Sequence, residues 1–309
     1  MPSAPHNLDE LAYWVALHGA PKIGPATFHR LIRKFGSPQD VMRASAGDLL
    51  VIPGADAALL DSITFAGIRI DYTRKLVERL LERNIRIITF RDAAYPQALN
   101  KLKWPPGLIY VQGDYTDADQ QSVGIVGSTH ASARAFRTAY RSAGALAGRG
   151  YTIVSGNARG VDSAAHLGAI DAGGRTVFVL PDGILSFRPN AEITPGKIQR
   201  HAVVISECPP EAAWEREAAI ARNRITAALS TRLFIVEAEA ENGTLCTFRN
   251  AKELGIPAMA AAFGPDTPKG NLAAIREGAA EVKSIAELLH AVATGKVEHP
   301  QTQQSFGWE

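Results

Sequence analysis

The spacing of apolar residues along the chain changes character twice. Leu11, Trp14, Val15 and Leu17 recur at helical spacing behind Asn7 and Asp9, either of which can cap a helix. Further amphipathic stretches follow at 26–35 and 57–63, with a polar helix at 71–83, so residues 1–84 are expected to form a small helical domain. Residues 85–90 and 108–111 read as short strands, separated by a proline-punctuated loop that holds Tyr95-Pro96 and Trp104-Pro105-Pro106-Gly107. The segment 85–121 is expected to connect to the next domain and pack on it. From Ser122 short, wholly apolar runs alternate with longer amphipathic ones. Strands are predicted at 123–126, 152–155, 176–180, 203–206, 233–237 and 257–261, and helices at 132–149, 161–172, 214–229, 245–254 and 272–277. Such alternation is how a parallel sheet covered on both faces appears in sequence, because its strands are buried on both sides. Residues 122–293 are therefore expected to form a Rossmann-like, doubly wound, mostly parallel α/β domain. The polar stretch 294–309 is expected to be disordered.

Composition narrows the setting without naming a function. The chain has 309 residues, 46% hydrophobic and 21% charged, as soluble globular proteins do. No apolar run approaches the ~18 residues of a membrane span, and the start lacks the basic and apolar regions of a signal peptide. Cys208 and Cys246 make no disulfide framework and lack the paired spacing of zinc sites, so a cytoplasmic protein without metal or cofactor is expected. A net charge of +2 means that any basic surface must be local.

Two short turns in the helical region, at 21–25 and 52–55, pair a hydrophobic residue with glycine and proline between helices. They resemble the helix-hairpin-helix module, which offers backbone N–H groups to a DNA phosphate. The same turns also suit a helical packing domain with no ligand.

In an open parallel sheet ligands bind beyond the carboxyl ends of the strands, so the turns after the strands carry the candidate chemistry. The first holds Gly127, Ser128, Thr129, His130 and Ser132. A tight glycine turn, hydroxyls and a helix N-terminus there suit a phosphate. It lacks the Walker lysine and the Gly-x-Gly-x-x-Gly spacing, and no acidic residue closes the next strand, which argues against a nicotinamide dehydrogenase. The second turn holds Ser155, Gly156, Arg159, Gly160 and Asp162, with two glycines bracketing a loop from which Arg159 projects a cation. For Asp162 helix capping and ligand binding are both open. His166, one helical turn on, is within reach of Asp162 and reads first as a buried, satisfied histidine rather than a general base. The third turn leads to Phe187, Arg188 and Asn190, an aromatic beside a cation of the kind that holds stacked bases and phosphate. The fourth places Gly243, Thr244 and Thr247 at a helix start, near glutamates that would repel phosphate unless they face elsewhere. Arg222, Asn223 and Arg224 lie in an otherwise apolar helix and point to polar groups aimed at a ligand or a neighbouring loop.

Taken together these motifs resemble the DNA-processing protein A family (DprA, also called Smf). That family has Gly-Ser-Arg after its first strand, Ser-Gly-x-Ala-(Lys/Arg)-Gly-(Ile/Val)-Asp-x-x-Ala-His after the second, an Arg-Asn-Arg-Ile helix, and an acidic strand end followed by Gly-(Ser/Thr)-Leu-x-Thr. The counterparts are Gly127-Ser128-Thr129, Ser155 to His166, Arg222 to Ile225, and Glu237 with Gly243 to Thr247. Order and spacing agree over about 85–280, and the helical start is similar to the family's N-terminal domain. The resemblance implies a non-catalytic protein that binds single-stranded DNA as a dimer, protects it, and hands it to the RecA recombinase in natural transformation or recombination. It assigns Arg159 to DNA and the turn glycines and hydroxyls to the pocket. Thr129 departs from the pattern, standing where the family has a DNA-holding arginine. Losing one charged contact removes roughly 1.5–3 kcal/mol unless His130 or Arg134 replaces it. The loop 181–190 is also atypical, and no C-terminal winged-helix segment is expected. A second resemblance, to nucleotide phosphoribohydrolases, rests on Asn242-Gly243-Thr244 and Glu253. It implies a nucleotide-binding sensor or hydrolase, and a defence role is a third reading.

Overall fold

The computed structural model describes residues 7–239, 243–295 and 307–308. Six helices open the chain: α1 (Leu8–His18), α2 (Pro25–Phe35), α3 (Pro38–Arg43), α4 (Ala46–Leu50), α5 (Ala57–Ile68) and α6 (Ile70–Glu82). Asn7 caps α1 by accepting from Glu10 N at 2.8 Å, and the residues whose spacing predicted the helix, Leu11, Trp14, Val15 and Leu17, are its buried face. Arg30 of α2 donates to Pro53 O at 3.2 Å, which ties α2 to the second glycine turn. Short helices α3 and α4 lie between them, each capped by a serine (Ser37 and Ser45), in a stretch too brief to show periodicity.

The sheet that follows has β1 (Ile85–Thr89), β2 (Leu108–Gln112), β3 (Ser122–Val126), β4 (Thr152–Ser155), β5 (Thr176–Leu180), β6 (Ala202–Ser206), β7 (Arg232–Ile235), β8 (Ala258–Ala261) and β9 (Ala280–Val282). The spatial order is β1-β2-β6-β5-β4-β3-β7-β8-β9. β3 to β9 run parallel, while β2 joins β6 antiparallel and β1 joins β2 antiparallel. The connecting segment thus extends the sheet at one edge. The covering helices are α7 (Ala133–Ala147), α8 (Val161–Asp171), α9 (Pro195–His201), α10 (Arg216–Ala228), α11 (Gly243–Glu253), α12 (Lys269–Arg276) and α13 (Ile285–Thr294). β3, β5 and β6 are buried at every position, as wholly apolar central strands must be.

Two features bear on function. The helical start shares one apolar core with the sheet: Leu17, Phe28 and Leu80 join Tyr110, Phe178 and Val204 from the strands and Leu167 from α8. Second, the strand order reverses between β3 and β7, which puts the topological switch point there.

The predicted tail at 294–309 falls mostly outside the described residues. Trp308 departs from the expectation of disorder: it is buried, donates from Nε1 to Ala262 O at 3.1 Å and stacks on Phe234 at 5.7 Å. β9 and α13 were not predicted. β9 is only three residues long, and α13 announces itself chiefly through its cap, Ser284 accepting from Glu287 N at 3.1 Å. Among the described residues no helix is long and apolar enough to cross a membrane.

Candidate nucleic-acid interface

The first two turns are built as one unit. Val161 N donates to Ser128 O at 3.2 Å, joining the turn after β3 to the one after β4. Gly160 has φ +77°, and a Cβ there would strike Ser128 O and Thr129; a Cβ on Gly127 would strike Val161. Both glycines therefore serve close backbone approach, and Gly160 also serves a conformation that side chains disfavour. Arg159 projects from this double loop into solvent with no hydrogen bond or ion pair among the described residues. Thr129 and His130 are exposed beside it, 3.2 Å apart between Oγ1 and Nδ1. His130 stays available as a replacement for the missing arginine. Arg134 does not: its guanidinium is tied to Asp266 at 3.3 Å and lies over the Phe263 ring.

Beneath the loop is a buried polar layer. Arg222 of α10 is 8% exposed and donates to Val179 O. Its guanidinium and the Asp162 carboxylate both crowd the α face of Gly156, leaving no room for a side chain. Asp162 is a buried group facing Arg222 rather than the helix cap, a place that Gly160 takes. Burial raises the Asp162 carboxyl, opposed by the Arg222 charge and by hydrogen bonds from Ser155 and the loop backbone. Burial likewise lowers Arg222, opposed by Asp162 and Asp182. Arg222 Nε and Asp182 Oδ1 are buried and have no hydrogen-bond partner among the described residues.

His166 is not a general base. Its Nε2 lies 2.5 Å from Gly156 O and its Nδ1 2.7 Å from Thr176 Oγ1, and the ring stacks on Phe178 at 3.6 Å. A carbonyl only accepts, so Nε2 carries the proton, while Nδ1 faces the Thr176 hydroxyl, whose own proton goes to Ile153 O at 2.8 Å. Burial lowers its pKa to about 3, which keeps it neutral. It supports Gly156 from below and does not pair with Asp162.

The remaining candidates divide. Asn223 reaches the start of α11, donating to Gly243 O at 3.1 Å, so α10 and α11 border the same site. Thr244 and Thr247 are buried, and Thr247 donates to Gly243 O at 3.1 Å, which makes it part of the helix end. Arg224 turns away into a tight pair with Glu207, at 2.5 Å, and donates to Trp104 O at 3.3 Å. Phe187 is half-buried edge-on against Phe178 at 5.3 Å, so it belongs to the core margin rather than to an open stacking surface. Asn190 forms a local turn by accepting from Glu192 N at 3.0 Å. Arg188 is exposed, and its carbonyl accepts from Asn157 at 3.2 Å, which holds the third turn against the second.

Ser132 is the largest departure from expectation. Its N–H lies 3.2 Å from Glu237 Oε1 and its hydroxyl donates to Glu237 Oε2 at 2.5 Å, while its Oγ caps α7 by accepting from Ala135 N at 3.1 Å. Ser128 N donates to the Glu237 carbonyl at 2.7 Å. A carboxylate of the protein itself thus fills the helix N-terminus at the switch point, where a free phosphate was expected. In the sequence Glu237 stood as the counterpart of the family's acidic strand end and among the glutamates that would repel phosphate, not as a partner of Ser132. Asn271 escaped notice altogether; its buried amide joins Val236 O, Ala261 O and Ala238 N across the ends of β7 and β8. Glu253 closes α11 at the end opposite Gly243, ten residues or about 15 Å away, so the two do not form one hydrolytic site. Asn242 lies outside the described residues.

A helical unit fused to a doubly wound sheet, with a clasped glycine double loop over a buried arginine, defines a Rossmann-like protein. Family models extend this. The DNA recombination-mediator protein A model matches residues 86–293, and the DprA-like N-terminal HHH domain model matches 9–45. The chain belongs to the DNA recombination-mediator protein A (DprA/Smf) family. Protein Smf of Synechocystis is 30% identical over 287 residues, covering 91% of this chain and 72% of that one. The crystal structure of DNA processing protein A from Streptococcus pneumoniae superimposes with a TM-score of 0.75 at 24% identity, over 96% of this chain and 100% of that one. DNA processing protein A from Helicobacter pylori, from a study of its single-stranded DNA binding mode, gives a TM-score of 0.60 at 24% identity, over 68% of this chain and 97% of that one.

Proposed function

We propose that this protein is a non-catalytic binder of single-stranded DNA, with the strand backbone held by the double loop 127–130 and 155–160. The observation that carries the reading is Arg159, an exposed cation on a loop that two glycines and the buried Arg222 layer hold in shape. A preorganised cation beside backbone N–H groups suits a phosphate chain. The mononucleotide alternative is disfavoured by Glu237, because the switch-point position such proteins use for phosphate already holds a carboxylate. The relatives' names, DNA processing protein among them, and the recombination-mediator family support a role in processing DNA for recombination, and natural transformation belongs to the same reading. Protection of the strand, transfer to a recombinase of the RecA kind, and a homodimer acting in the cytoplasm belong to the same reading.

Arg159→Ala tests it. Binding of a fluorescent oligo-dT by anisotropy should weaken by roughly 10- to 100-fold, the equivalent of about 1.5–3 kcal/mol for a charged hydrogen bond. The slope of log K against log salt should fall by about one unit. An unchanged affinity and slope would remove Arg159, and with it the double loop, from the interface. Light scattering at micromolar concentration tests the dimer, which a monomer mass would contradict.

A further inference from the structure

A cleft of about 210 Å³ lies where the helical start meets the loop after β6. Its floor is apolar, made by Val15, Ala16, Ala66 and Leu76 from the helices and by Pro209 and Pro210 from the loop. Its mouth is different. Phe65 and Tyr72 are 46% and 45% exposed, and the Arg69 guanidinium sits over both rings, at 5.2 Å and 4.4 Å. Glu211 closes the opposite wall, accepting from Tyr72 Oη and from Arg79. Apart from those rings, no hydrogen bond or ion pair holds the Arg69 guanidinium among the described residues.

The loop that forms the far wall is also part of the strand-end surface. Leu185 N donates to Pro210 O at 3.1 Å and Gly183 N to Ala212 O at 2.9 Å, and a side chain on Gly183 would collide with Pro210. The third turn is in contact with the second through the Asn157 bond to Arg188 O. A continuous edge therefore runs from Arg159 through Arg188 to this cleft.

We infer that the cleft between Phe65, Tyr72 and Pro209–Pro210 receives an unpaired nucleobase of the same DNA strand, with Arg69 on its phosphate. The chemistry fits on each side. An apolar floor with exposed rings at its mouth suits a base, an exposed guanidinium suits the phosphate that accompanies it, and the Glu211 carboxylate can accept from a base's exocyclic amine or ring N–H. The volume is below the ~300 Å³ at which pockets for drug-sized ligands start, as a site that takes one base with its sugar and phosphate outside would be. The inference rests on the single-stranded DNA reading and adds the helical domain to the interface by a surface separate from its two glycine turns.

Cross-linking of the full chain to oligo-dT carrying one 4-thiothymidine, mapped by mass spectrometry, tests it together with three variants. Adduct on residues between Phe65 and Leu76 or at 209–211 is expected. Phe65→Ala and Arg69→Glu should each weaken oligo-dT binding about tenfold, and Phe65→Trp should keep it. Phe65 and Arg69 are both exposed, so thermal melting should place all three variants near the wild type. Adduct confined to the double loop, or wild-type affinity in Phe65→Ala and Arg69→Glu while Arg159→Ala is impaired, overturns the base cleft and leaves the main reading standing. A wild-type protein that binds no oligo-dT overturns both.

Discussion

The two ends of the parallel strands treat their buried arginines and carboxylates differently. At the amino end Asp119 is fully buried, yet every demand on it is met: Arg175 donates to both its oxygens at 2.8 Å, Thr152 at 3.0 Å and Thr116 N at 2.8 Å. At the carboxyl end Arg222 and Asp162 crowd Gly156 while the Asp182 charge also acts on Arg222, and Arg222 Nε and Asp182 Oδ1 are left without partners among the described residues. Buried polar groups are ordinarily satisfied, and leaving one bare costs about 1–3 kcal/mol. The amino end thus has the economy of a structural joint, and the carboxyl end carries the cost that sites for ligands tolerate.

That contrast can be tested from its largest effect downward. Asp119→Ala should lower unfolding free energy by about 3 kcal/mol, toward the smaller end for a broken buried pair because Arg175 is a third exposed. Denaturant melts read the loss, and oligo-dT affinity of the folded protein should not change. A loss of affinity without a loss of stability would erase the distinction between the two ends. Gly156→Ala should do both, costing roughly 1–3 kcal/mol by overpacking against Arg222 and Asp162 and weakening DNA binding as the loop shifts. Wild-type stability and affinity in that variant would mean that the polar layer yields freely.

Two buried histidines, His166 under Gly156 and His18 at the end of α1, should also carry an acid sensitivity. His166 and His18 are lowered by burial to about 3 and about 4, so between pH 6.5 and 4 the unfolded chain takes up protons that the folded chain refuses. Their contribution to stability is present above pH 6.5 and is lost as pH falls through that window. Asp162, Asp182 and Glu207, raised by burial, act in the opposite sense, so the informative quantity is a difference. His166→Gln should lose less stability between pH 7 and pH 5 than the wild type does in denaturant melts at the two pH values. An equal loss would mean that the imidazole is not kept neutral. The smallest effect is expected from Glu237→Gln. Weakening the carboxylate at the α7 start should raise affinity for oligo-dT or inorganic phosphate about threefold, less than 1 kcal/mol. Calorimetry showing weaker binding would make Glu237 a ligand contact instead of a resident competitor.

How much of this could be read from the sequence follows from the range of the interactions concerned. The sheet was legible because wholly apolar runs of four or five residues between helices have few other solutions, and the strand-end turns were legible because glycine marks close approach at Gly127, Gly156 and Gly160. What the side chains at those turns do was less accessible. Ser132, Thr247 and Arg224 have the right chemistry for phosphate, but each is engaged by a residue far off or by its own helix: Glu237, Gly243 and Glu207. Sequence shows donors, whereas availability depends on which acceptors the fold brings near. The same limit hid Asn271 and the Arg69 cleft, whose parts come from α1, α5, α6 and the loop after β6. Trp308 shows the reverse error, since one aromatic at the edge of a polar stretch can dock where composition suggests none.

The central claim is that the strand-end loops hold a phosphate chain and not a single nucleotide. Titrating the wild-type protein side by side with a short oligo-dT and with a mononucleotide, at low and at raised salt, addresses it directly. The account predicts tight oligo-dT binding that falls steeply with salt, and mononucleotide binding too weak to saturate. Tight mononucleotide binding with no single-strand binding at low salt would contradict it.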